Sequence, residues 1–127
     1  QLVVMDSVNK RIQIFSKEGR YMASFPVTTG NFPREDQVLP DPTEAHLALD
    51  SSGRLFITDS SGAQVLVYTL SGRQLGRIAP GGALDINVGI PSGAAMTEDG
   101  TLLLADRAGG RILRIGKKEI ERAFGGE

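Results

Sequence analysis

Cysteine and tryptophan are absent from this chain of 127 residues, and histidine occurs once, at His46. Without cysteine there is no disulfide framework and no thiolate metal site. One histidine cannot by itself supply the three or four ligands that a metal site needs, nor anchor more than one Ser-His-Asp constellation. Charge of either sign is not in excess: the net charge is −1 and the isoelectric point is near 5.9. That balance argues against nucleic acid or an anionic membrane as a partner, since both attract a basic surplus. No apolar run approaches the roughly 20 residues of a membrane-crossing helix, so no membrane insertion is expected. The glycine pairs Gly81–Gly82 and Gly109–Gly110 do not precede a helix opening with Lys-Ser/Thr, so they are not phosphate loops. No Gly-x-Ser-x-Gly nucleophile elbow occurs either. No cofactor is expected.

What is present is ordinary in amount and regular in arrangement. The apolar fraction of 40% and charged fraction of 23% are those of a folded globular chain, and its length is that of one modest domain. With aromatics at only 6%, the core must rest on Leu, Ile, Val, Ala and Met. The order in the sequence is a repeat, and repeats govern the fold. "LVVMDSVNKRIQIFSKEGRYMASF", from Leu2, registers without a gap on "LFITDSSGAQVLVYTLSGRQLGRI", from Leu55. Asp6 falls on Asp59, Ile12 on Val65, Ile14 on Val67, Phe15 on Tyr68 and Gly19 on Gly72. A third copy begins at Leu102, with Asp106 in the aspartate place, and upstream "LALDSSGRL" registers on "AAMTEDGTL", Gly53 on Gly100.

Each unit reads as four short strands, typified by "HLALD", "LFITD", "QVLVYTL" and "RQLGRI", separated by Asp-Ser-Ser-Gly, Ser-Ser-Gly and Ser-Gly turns. Val65 and Val67 alternate with their neighbours as a strand requires, while "LFITD" is almost continuously apolar, as in a strand covered on both faces. "GKKEIERAF" has a trace of helical spacing, but its place in the repeat predicts a strand. Stacked four-stranded units of this size make a β-propeller.

The segment "LALDSSGRLFITDSSGAQVLVYTLSGRQL", with "VVMDSVNKRIQIFSKEGRYM" before it and "AAMTEDGTLLLADRAGGRILRI" after it, resembles the NHL repeat family. The third copy departs at Thr97, in place of the turn aspartate, and at Arg114, in place of Ile14 and Val67. The resemblance implies an all-β propeller of NHL-like four-stranded blades over residues 1–127, with about three blades, near 1–25, 45–78 and 92–124, forming a partial ring. The first unit lacks its innermost strand. The chain also opens on Gln1 rather than Met. A piece of a longer chain, or a ring completed by another chain, is therefore expected, with apolar sheet faces at both ends of the stack.

Asp6, Asp59 and Asp106 recur in every unit at a strand end before a tight turn, where a carboxylate can accept backbone N–H groups. They are read as structural, together with Gly19, Gly53, Gly72 and Gly100. His46 begins an inner strand. Relatives of this fold that amidate peptides hold a metal through several channel histidines, but Gly93 stands in register with His46 here, so no metal site is expected from it alone. The turns after the aspartates share one face of the stack with the links between units. Lys10, Arg11, Gln64, Arg107 and Arg111 fall there, with Phe32 and Arg34 from the long link, as candidate binding residues. Some NHL-type domains bind single-stranded RNA on such a face, but the stacking aromatics and basic excess this needs are missing.

The reading that follows is a non-catalytic scaffold for a protein partner, or for the remaining propeller blades. Two alternatives stand beside it. One is a propeller enzyme, a metal-dependent lyase or hydrolase whose channel site is completed by blades not present. The other is a structural component of an extracellular or envelope assembly. The resemblance implies a periplasmic or extracellular location.

Overall fold

The computed structural model describes residues 1–6, 9–27 and 45–125. Among the described residues, ten strands form three antiparallel sheets, followed by one helix. The first sheet holds β1 (Leu2–Asp6), β2 (Arg11–Phe15) and β3 (Tyr21–Pro26), in that order. The second holds β4 (Leu47–Leu49), β5 (Arg54–Asp59), β6 (Gln64–Thr69) and β7 (Gln74–Ile78). The third holds β8 (Pro91–Met96), β9 (Leu102–Asp106) and β10 (Arg111–Ile115). The helix α1 spans Lys117–Phe124.

The sheets are stacked, and the middle one is covered twice. Every residue of β5 is buried. Leu55, Ile57, Leu66 and Tyr68 share a core with Ile12, Ile14 and Phe25 of the first sheet. Phe56, Val65, Val67 and Ile78 share another with Leu102, Leu104 and Ile115 of the third. Successive side chains of a strand point to opposite faces, so an unbroken apolar run in β5 fills both cores at once. Aromatic packing adds to the first core, where the Phe25 and Tyr68 rings stack at 5.7 Å between centroids. On the other side, β8 lies against β4 and β5.

The turns reproduce one another bond for bond. In four hairpins a backbone N–H from a glycine reaches the carbonyl three residues earlier: Gly19 to Ser16, Gly53 to Asp50, Gly72 to Thr69 and Gly100 to Thr97. All four glycines have φ between +85° and +93°, a region that costs an L-residue about 1–2 kcal/mol. In each turn the side-chain oxygen of the first residue accepts the backbone N–H four residues on: Ser16 from Arg20, Asp50 from Arg54, Thr69 from Arg73 and Thr97 from Thr101. The threonine at position 97 therefore does what the aspartate does at position 50.

The expected strand at the end of the third unit is a helix. In register, Gly116 replaces the hydroxyl of Ser16 and Thr69, and Glu119 replaces Gly19 and Gly72. Both requirements of the turn are lost, so the chain cannot reverse to make a fourth strand there. Glu119 serves the helix instead: its Oε1 accepts the Gly116 N–H at 3.1 Å, capping the first turn. Ile120 and Phe124, four residues apart, enter the core beside β7, while Arg122 remains exposed. A strand would have set Arg122 on the same face as those two. The Phe124 ring meets Phe56 edge-on at 6.5 Å.

Candidate functional site

The three hairpins β1–β2, β5–β6 and β9–β10 lie at equivalent positions of the three sheets and turn on Asp6, Asp59 and Asp106. In each, the carboxylate reaches three residues ahead with one oxygen and five residues ahead with the other. Asp6 accepts the Asn9 N–H and the Arg11 Nε–H at 3.0 Å, with the Asn9 side chain added. Asp59 accepts the Gly62 N–H, the Ser61 hydroxyl and the Gln64 Nε2 at 2.8 Å. Asp106 accepts the Gly109 N–H and the Arg111 Nε–H at 2.8 Å. The five-residue reach works because the aspartate and the residue after the turn are direct cross-strand partners. The residue between, Lys10, Ala63 or Gly110, has φ of 55°, 53° and 61°, respectively.

The third hairpin is also tied to the link before it. Asp106 Oδ1 accepts the Ile90 N–H, and Arg111 donates to the Asn87 carbonyl at 2.9 Å, while Ser60 in the turn of the second hairpin donates to the Pro91 carbonyl at the start of β8. Gly89 sits so close to the Asp106 carboxylate that a Cβ there would overlap it.

The three carboxyls differ in what surrounds them. At Asp106 the Arg111 guanidinium, helped by the Gly109 N–H, lowers the carboxyl pKa to about 2. At Asp6 the Asn9 side chain, with Arg11 behind it, also holds the pKa below the usual range. At Asp59 the fifth residue is the neutral Gln64, and burial pushes the pKa up, against the hydrogen bonds of Gln64, Gly62 and Ser61. Arg77 from β7 reaches Gln64 Oε1 at 3.2 Å, so a cation stands one group further away here.

Of the candidate binding residues, Arg11, Gln64 and Arg111 are thus bonded to the repeat aspartates. Lys10 and Arg107 lie on the same hairpins, and among the described residues their side chains have no hydrogen-bond or ion-pair partner. Phe32 and Arg34 lie outside the described residues. His46 precedes β4, where its backbone N–H donates to Thr58 Oγ1 and its carbonyl accepts the Thr58 N–H. Among the described residues, no group of three or more His, Cys, Asp or Glu side chains is arranged to hold a metal ion.

At the opposite end of the second sheet is a cleft of about 490 Å³, lined by Ser52, Arg54, Thr69, Arg73, Glu121 and Phe124, among others. Its wall is fixed by a buried ion pair that the sequence reading missed. Arg54 Nε meets Asp50 Oδ2 at 2.7 Å, and Arg54 also donates to the Gly125 carbonyl at 2.6 Å. The signal was the four-residue spacing of Asp50 and Arg54 across the turn glycine.

Comparison with known proteins matches the fold. No protein-family model matches the chain, and neither does any curated protein. Among solved structures, the chain is similar to a protein of unknown function from Bacteroides caccae, at 20% identity and a TM-score of 0.56, covering 86% of this chain and 34% of that one. It is also similar to virginiamycin B lyase from Staphylococcus aureus, a propeller-type fold, at 19% identity and a TM-score of 0.57, covering 86% and 32%. The chain spans about a third of the length of each. The three antiparallel sheets are thus propeller-like.

Proposed function

We propose that this chain is part of an NHL-like propeller, with blades near residues 1–25, 45–78 and 92–124, and that it is a binding scaffold whose aspartate-hairpin face receives a protein partner. One observation carries the reading. On that face the fifth-position side chains are drawn into the frame by the aspartates, whereas Lys10 and Arg107 have no partner among the described residues. A rigid frame that holds unpaired cations at fixed spacing suits an acidic protein surface, where rim charges steer encounter and register. The fold likeness supports a propeller and carries no activity across to this chain.

The test is capture of a partner from an extract of the source organism by wild type, Lys10→Glu/Arg107→Glu and Arg73→Glu, the last on the opposite end. The expected result is a stoichiometric partner retained by wild type and Arg73→Glu and lost by the double variant, with unchanged circular dichroism in all three. Retention by the double variant, or no stoichiometric partner at all, overturns the reading.

A further inference from the structure

The cleft beside the second sheet is built around a donor that the fold leaves unused. Arg54 lines it with a side chain only 7% exposed. Its Nε donates to Asp50 and its Nη1 to the Gly125 carbonyl, while Nη2 makes no hydrogen bond among the described residues. No fully enclosed side-chain nitrogen or oxygen among those residues lacks a hydrogen bond, so Nη2 is open to the cleft. The turn itself does not require this arginine. Thr101 stands in its place in the third unit, and the same turn forms there through Thr97.

The charges around the cleft cancel. Asp50 offsets Arg54 at the floor, which therefore offers a directed donor and no net charge. Arg73 and Glu121, of opposite sign, line the same cleft and are exposed. Neither side chain has a hydrogen-bond or ion-pair partner among the described residues. Leu75 and the Phe124 ring supply the apolar part of the lining. The volume of about 490 Å³ is that of a small-molecule site, where apolar walls carry a few placed polar groups. Each simple class of occupant conflicts with one of these groups. An anion is repelled by Glu121, and a cation is repelled by Arg73 and finds no acceptor in a guanidinium. A wholly apolar molecule strands Nη2 away from water. A molecule with both charges beside an apolar group avoids all three conflicts.

We propose that the cleft binds a free α-amino acid with an apolar side chain. Its carboxylate accepts from Arg54 Nη2 and is drawn by Arg73, its ammonium is drawn by Glu121, and its side chain lies against Leu75 and Phe124.

The test is a nuclear magnetic resonance titration of the full natural chain, labelled with nitrogen-15, using phenylalanine, phenylalanine amide and N-acetylphenylalanine. Phenylalanine is expected to shift the backbone amides of Ser52, Gly53, Ser71, Arg73 and Gly125 to saturation. The amide lacks the carboxylate and the acetyl derivative lacks the ammonium, so each should bind about fivefold more weakly or worse, as should phenylalanine to Arg73→Glu and to Glu121→Lys. Arg54 is left in place because it also holds the sheet. Absence of saturable shifts at millimolar phenylalanine overturns the proposal, and a cleft closed by another part of the chain gives that result. Equal binding of the three ligands, or shifts confined to the aspartate hairpins, overturns it too. Partner capture stands or falls separately, because it is read through Lys10 and Arg107 at the opposite end.

Discussion

Arg54 offers the sharpest test of how the middle sheet is held. Its side chain and that of Asp50 are 7% and 6% exposed and meet at 2.7 Å. In Arg54→Ala, Asp50 Oδ1 keeps the backbone N–H groups of residues 52 and 54, but Oδ2 loses its charged donor in a site water scarcely reaches. The Gly125 carbonyl loses its donor as well. Removing one member of a buried pair costs about 3–5 kcal/mol, because the other charge is left uncompensated. In urea, with a slope of about 2 kcal/mol/M, the midpoint should fall by roughly 2 M. The double variant Asp50→Asn/Arg54→Met removes both charges and should recover more than half of that loss, since a buried pair is worth little against neutral groups of similar volume. Urea unfolding followed by circular dichroism measures both. A fall of under about 1 kcal/mol for Arg54→Ala would refute the reasoning, because it would mean that water replaces the guanidinium without cost.

Three further outcomes are expected. Phe124→Ala should cost about 3–5 kcal/mol in the same assay, although it lies in the last helix, because its ring is 6% exposed and set against Phe56. Gly89→Ala should destabilise by more than the about 1–2 kcal/mol of its left-handed backbone, since the added carbon meets the Asp106 carboxylate; a midpoint within error of wild type would contradict this. The aspartates should answer pH with opposite signs. Asp106, lowered to about 2, and Asp6, also lowered, contribute stability that is present above the unfolded carboxyl range and lost as pH falls through their folded values. Asp59, raised, contributes stability that is full below that range and lost as pH rises through its folded value. Relative to wild type, Asp59→Asn should therefore gain stability between pH 3 and 7, and Asp106→Asn should lose it, by urea midpoints across that range.

The strands were legible because their turns need particular residues. Gly19, Gly53, Gly72 and Gly100 all have positive φ, and that requirement writes a repeat into the sequence that apolar residues alone would leave ambiguous. The two-faced burial of β5 was legible for the same kind of reason, since both cores draw on one short run. The helix was misread because register was weighed above the residues that make register possible. Gly116 and Glu119 had already removed the turn, and the spacing of Ile120 and Phe124 was the visible sign. At the site, the recurrence of Asp6, Asp59 and Asp106 was plain, but their bonds to Arg11, Gln64 and Arg111 were not. Those bonds come from cross-strand pairing, which brings residues five apart face to face only once the hairpin has formed. The Arg54 contact to Gly125 joins residues 71 apart, and nothing local announces it.

The double burial of the middle sheet also has a kinetic consequence. In a stack where each unit contacts only its neighbours, a central unit has two interfaces to lose and a terminal unit has one. Opening should then begin at the outer sheets and reach β5 and β6 last. Backbone amides of Phe56, Ile57, Leu66 and Val67 would be the slowest in the chain to take up deuterium, and their rate would follow the unfolding of the whole molecule.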